Sequence, residues 1–180
     1  MAQLRRVDCP EAGGAAVILL AVDPGPETCG VVFYNSATSR VLSATNEMPV
    51  EAVLGMISGW AETPKEFEMI DVVAIERVQS YGISGASLLR TSEVVGRIWQ
   101  AAALADVPVA LYYRRQVLRA LDVSGPGNRD ALVRQRIIET FGGDRRVAVG
   151  RKVSPGPCYG VSGHAWQALG VALTHALVAG

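Results

Sequence analysis

Asp23 and Glu76 are the residues of this sequence best placed to do chemistry, because each stops an apolar run that would otherwise continue. AVILLAVD at 16–23 and DVVAIERV at 71–78 are dense in aliphatic and β-branched residues, the pattern of strands buried on both faces. An acid at such a place costs several kcal/mol unless a cation or hydrogen bonds compensate it. Either acid alone also fits an exposed strand end. If the two strands lie side by side, however, the carboxylates converge into a hard-oxygen site suited to Mg²⁺ or Mn²⁺.

The charge distribution points to an anionic partner. Seventeen Lys/Arg balance seventeen Asp/Glu overall, but residues 1–113 hold seven basic against thirteen acidic groups, and residues 114–152 hold ten against four. Such a block is what a phosphate backbone attracts, and equally what a solvated helix face presents. Arg114, Arg115 and Arg119 recur at near-helical spacing, as do Arg129, Arg134 and Arg136. Arg145, Arg146, Arg151 and Lys152 fall in a Gly/Pro-rich stretch, where they would add salt-dependent, sequence-blind affinity.

The elements that must position these groups follow from pattern. After a frayed leader at 1–13, one domain is expected over 14–180. Strands are expected at 16–23, 30–36 and 40–46, the last two joined by a hairpin around Ser36–Ser39, and again at 71–78 and 107–113. Helices are expected at 50–60, 84–105, 115–121, 128–141 and 163–178, with a loop over 142–162. This order implies a mixed α/β sheet with helices on both faces. The helix at 84–105 has more apolar positions than one sheet-facing stripe needs, which suits a second contact with a partner. Cys9, Cys29 and Cys158 are odd in number and widely spaced, so they read as free thiols rather than a disulfide or zinc framework. No apolar run reaches the roughly 18–20 residues of a membrane span, and Asp8, Pro10 and Glu11 interrupt any signal-peptide pattern. A cytoplasmic protein is expected.

Taken in order, these motifs resemble the RuvC-type Holliday-junction resolvases. The likeness runs through Asp-Pro-Gly at 23–25 with Gly30 beyond it, Ala-Ile-Glu at 74–76, VPVALYY at 107–113 and RRQVLRAL at 114–121. It continues through the glycine turn before NRDALVRQRIIETF and ends in SGHAWQALGVALTHAL, covering about residues 16–178. Each motif is weak alone; the ordered set is specific.

The resemblance implies a ribonuclease H-like five-stranded fold and a homodimeric nuclease that nicks four-way DNA junctions using two divalent ions. Asp23 and Glu76 fall on the first two metal-ligand positions. His164 falls on the third, where some members carry His, and imidazole is a reasonable ligand. Gln167, on the same helical face as His164, stands where the family has an acid. Its amide keeps a carbonyl oxygen but removes a negative charge, which implies that a second ion is weakly held. His175 lies two further turns along and reads as a packed residue. The family has basic side chains near the scissile phosphate at the basic helix starts. Arg129 ranks first there, because it follows the glycine turn at a helix N-terminus that also favours anions. The family stacks an aromatic after the second acid on an unpaired base; the nearest here is Tyr81, displaced by two residues, and an ordinary loop tyrosine reads equally well. Two alternatives stand beside this reading: a catalytically attenuated branched-DNA-binding protein, and a related nuclease acting on another nucleic-acid structure. An actin-like kinase shares the Asp-x-Gly turn but needs two such domains, and 180 residues supply one.

Overall fold

Alternation of buried aliphatic residues organises the chain about one sheet. The computed structural model describes residues 17–62, 70–79, 82 and 85–179; the leader expected at 1–13, Cys9 and Tyr81 lie outside them. Strands β1 (Ile18–Pro24), β2 (Thr28–Asn35) and β3 (Arg40–Pro49) form an antiparallel meander, followed by helix α1 (Val50–Glu62). Strand β4 (Val72–Arg77) pairs parallel to β1, and after helix α2 (Ala86–Leu104) strand β5 (Val109–Tyr113) pairs parallel to β4. The order is β3-β2-β1-β4-β5, so β1 is central. Helices α3 (Arg114–Ala120), α4 (Arg129–Thr140), the short α5 (Arg145–Ala148) and α6 (Ala165–Ala179) complete the fold.

The two faces of the strands bury two different cores. Leu20, Val22, Val31, Val73 and Ile75 pack with Val53 and Ile57 of α1 and with Val94 and Ile98 of α2. The alternate residues Leu19, Ala21, Val32 and Ala74 pack with α6 and, beyond it, with Val117 of α3 and Val133 and Ile137 of α4. Helix α6 sits in the middle of that layer and is buried at every residue from Ala165 to Thr174. Fully burying one such side chain, Leu169 for example, contributes about 1.5–3 kcal/mol. Small residues let the neighbouring helices close in: a Cβ on Gly170 would stand 3.2 Å from Val133 and 3.3 Å from Val117.

The stretch at 142–162, expected as a loop, is more ordered than its composition suggests. It contains α5 and a two-residue ladder between β6 (Gly150–Arg151) and β7 (Ser154–Pro155). Such pieces are too short to carry a period, and their Gly and Pro serve the turn itself: Gly150 has φ +70°, and a Cβ there would lie 2.3 Å from the Ser154 carbonyl oxygen. β3 also runs to Pro49, three residues past its expected end, which an edge strand tolerates.

Candidate active site

Strand register brings the two acids together. Val22 pairs with Ile75 in the parallel β1–β4 ladder, so the next step up each strand sets Asp23 beside Glu76. Alternation turns both toward the α6 layer, in line with Ala21 and Ala74. They emerge at the C-terminal ends of parallel strands, the usual place for a ligand crevice in an open α/β sheet.

Gly30 brings the third group in. It pairs with Asp23 across β1–β2, and a Cβ on it would lie 2.5 Å from the carbonyl oxygen and 2.9 Å from Cβ of His164. The bare backbone therefore lets the turn before α6 rest on β2. Asn46 of β3 holds that turn from the other side, its Oδ1 accepting from the His164 N–H. Together they set His164 Nδ1 3.5 Å from Asp23 Oδ2, with the ring largely exposed and the carboxylate mostly covered.

Glu76 faces a different partner. Arg114, at the β5–α3 junction, places Nη1 3.1 Å from Glu76 Oε2 and 2.7 Å from Gln167 Oε1. Its Nη2 donates to Oδ1 of Asp130, in the first turn of α4. Gln167 is 6% exposed, and its Nε2 donates to the Asp130 carbonyl at 3.3 Å. His164 and Gln167 line a cleft of about 380 Å³ with Asn46, Glu47, Asp130 and Gly163.

Both acids are out of their usual range. Burial pushes Asp23 up to about 6, opposed by His164 and Arg114 and reinforced by the negative charge of Asp130. Burial pushes Glu76 up to about 7, against the pull of Arg114. A cation bound nearby would relieve both. Among the described residues no three His, Cys, Asp or Glu side chains form a ready-made cage for an ion. The donor set is two carboxylates, an imidazole and an amide oxygen, which fits a divalent ion at the open Asp23–His164 side. The Glu76–Gln167 side already holds a guanidinium.

The other expected residues divide by place. Arg115 and Arg129 are exposed beside the site, at the starts of α3 and α4, and Arg119 and Arg134 are exposed further along the same helices. Arg136 is turned inward: its Nε donates to the Leu121 carbonyl at 2.8 Å. Arg151 and Lys152 ride the β6–β7 turn, which the fold anchors at the other end of the sheet. There Arg40 Nη2 donates to the Pro155 carbonyl at 3.0 Å, and the Val41 N–H to that of Pro157 at 2.8 Å. Asp23 lies five residues up β1 from that end, about 17 Å at the rise of a strand. His175 accepts from or donates to the Tyr112 hydroxyl at 2.8 Å, away from the acids.

Sequence reading passed over four residues. Asp130 was not singled out, since a carboxylate in the first turn of a helix is ordinary. Asn46 read as a strand end. Arg77 and Tyr113 read as strand termini, yet the Arg77 and Arg115 guanidinium carbons stand 5.3 and 5.5 Å from the Tyr113 ring centroid. These contacts make a basic, aromatic rim next to Glu76. The one available signal was that Arg77 and Asp130 each adjoin a residue already singled out.

No protein-family model matches the chain. Among curated proteins it is similar to the crossover junction endodeoxyribonuclease RuvC of Paenarthrobacter aurescens, 29% identical over 124 residues that cover 64% of this chain and 65% of that protein. The match therefore spans just under two thirds of that relative's length. The RuvC of Bifidobacterium adolescentis is 28% identical over 170 residues, covering 89% of this chain and 80% of the relative. Among solved structures, Thermus thermophilus RuvC superposes with a TM-score of 0.57 at 23% identity, covering 91% of this chain and 95% of that one. The T. thermophilus RuvC complex with a Holliday junction substrate gives 0.54 at 23%, covering 91% and 94%. The chain is RuvC-like in sequence and has the ribonuclease H-like fold.

Proposed function

We propose that this chain is a divalent-metal-dependent endonuclease that resolves four-way DNA junctions by paired nicks, working as a homodimer. The observation that carries the reading is the convergence of Asp23, Glu76 and His164 at one sheet rim, where the two largely covered acids call for a cation. RuvC enzymes named as crossover junction endodeoxyribonucleases are its relatives in sequence, and a junction-bound RuvC shares its fold.

Asp23 and His164 would hold Mg²⁺ or Mn²⁺, while Glu76 and Gln167, where the resemblance implies a second and weakly held ion, face the Arg114 guanidinium. A bound ion supplies Lewis-acid stabilisation at phosphorus and a more acidic water. The chain's own residues do the rest. Asp23, whose carboxyl burial pushes up to about 6 without an ion, is drawn into its ionised form by the cation it binds, and orients and neutralises that cation. The exposed Arg129, at the amino end of α4, meets a phosphate with its side-chain charge, while Asn128 Oδ1 accepts from the next two N–H groups of the helix, those of Asp130 and Ala131. Arg114, Arg115, Arg119 and Arg134 would line the DNA path, with Arg151 and Lys152 reaching a more distant arm. Tyr81 is kept as a stacking residue. Hydrolysis leaves 5′-phosphate and 3′-hydroxyl ends.

The partner face is on α2. Leu89, Trp99 and Leu104 are more than half exposed there, while Val94, Ile98 and Ala102 fill the core. Nicking of end-labelled synthetic junctions with Mg²⁺ or Mn²⁺, in competition with flap, duplex and RNA–DNA hybrid, tests the reading. Symmetric nicks in opposed strands are expected; preference for hybrid or plain duplex would overturn it.

A further inference from the structure

Three oxygens from three separate elements converge on one side-chain cation. Glu76 Oε2 of β4, Gln167 Oε1 of α6 and Asp130 Oδ1 of α4 all accept from the Arg114 guanidinium. The Gln167 amide cannot be turned round without loss, because its Nε2 donates to the Asp130 carbonyl and its oxygen must then face Arg114. A carboxylate at 167 would be a hard-ion ligand; a buried neutral amide oxygen is instead a good acceptor for guanidinium. Three of the five guanidinium N–H groups are taken by these oxygens, which leaves two for another acceptor. Arg114 is about one-fifth exposed, enough for a phosphate oxygen to reach it.

We propose that Arg114 supplies the positive charge of the second metal ion, so that each subunit takes one divalent ion, at Asp23 and His164, and uses a guanidinium at Glu76 and Gln167. This deepens the nuclease reading and rests on it. In the reaction a water oxygen forms the new bond to phosphorus and releases a proton to solvent. The P–O3′ bond breaks, with its electron pair going to O3′. Arg114 stays protonated throughout; its free N–H groups hydrogen-bond the leaving oxygen, which takes its proton from solvent. The same arrangement accounts for Gln167. An acid there would raise the local negative charge and invite a dication, whereas the amide with Asp130 suits a monocation. A dication entering beside the guanidinium meets like charge.

The test counts ions. Mn²⁺ titration by calorimetry on the full chain should give one site per subunit in the wild type and two in Arg114→Gln/Gln167→Asp. Arg114→Gln alone should keep one site and nick on the order of 10²–10³-fold more slowly, the usual loss when one preorganised donor is removed; the double variant should recover part of that loss. Arg114→Lys, which keeps the charge and loses the fork, should keep one site with slower nicking, and it serves if the glutamine variants do not fold. Two sites in the wild type, a single site in the folded double variant, or full-rate nicking by Arg114→Gln would overturn the assignment. One site per subunit with no nicking of any branched DNA would overturn the junction-resolving reading and leave the count standing.

Discussion

Replacing Gly30 by alanine should unseat His164 while leaving both acids in place. The added Cβ would stand 2.5 Å from the His164 carbonyl oxygen, 2.6 Å from its carbonyl carbon and 2.9 Å from its Cβ. Ordinary carbon contacts begin near 3.5 Å, so the turn before α6 must retreat from β2 by about 1 Å. The atoms struck are backbone, tied by Asn46 on one side and by α6 on the other, and they have no rotamer with which to escape. Overpacking of this kind costs about 1–3 kcal/mol, or about 2–12 °C in melting temperature for a chain of this size. His164 Nδ1, now 3.5 Å from Asp23, would move out of joint-ligand range, and a displacement of 1 Å at a reacting centre costs about 10²-fold. The assay pairs thermal melting with Mn²⁺ titration. Gly55→Ala, on an exposed turn of α1 with nothing within 4 Å of the new methyl, is the control and should stabilise by about 0.5–1 kcal/mol. A Gly30→Ala protein that melts and binds Mn²⁺ like the wild type would refute the claim that this glycine seats His164.

Three further outcomes follow from the same geometry. Glu76 is raised from 4.5 to about 7 by burial, so between those values the folded chain holds a proton that the unfolded chain has lost, and metal-free stability falls as pH rises through that window. Glu76→Gln should therefore melt higher than wild type in EDTA at pH 8, by up to about 3 kcal/mol at 1.36 kcal/mol per unit, with the gap closing below pH 4.5; a gap unchanged at pH 4 would contradict this. Arg129→Ala should slow junction nicking at least tenfold, about 1.4 kcal/mol, whereas Arg151→Ala, at the far end of the sheet, should mainly weaken salt-sensitive binding; equal losses in kcat would reject that division. Trp99→Glu should turn the proposed dimer into a folded monomer in sedimentation, with unchanged circular dichroism and a lower, concentration-independent melting temperature, since Trp99 is half exposed in the single chain; an unchanged dimer would move the interface elsewhere.

Much of this protein was legible before any coordinates. A strand buried on both faces needs an unbroken apolar run, so β1 and β4 announced themselves, and Asp23 and Glu76 stood out as the charges that ended them. Helical spacing marked α1, α2, α4 and α6 to within a few residues, because amphipathic period is a local property. The free buried thiols Cys29 and Cys158 follow from composition in the same way. Short pieces without a period, α5 and the β6–β7 ladder, escaped notice for the converse reason.

Tertiary structure alone decided what meets what. A basic run says that arginines are present, not which of them turns inward: Arg114 entered the acid cluster, Arg136 closed the link between α3 and α4, and Arg151 was carried to the opposite end of the sheet. Asp130 became part of the site because α4 crosses α6 at Gly170, a packing event more than a hundred residues from Asp23. Local sequence encodes propensity and burial, which act over a few residues. Contacts between distant side chains depend on how sheet register and helix crossing close the fold, and no single segment contains that information.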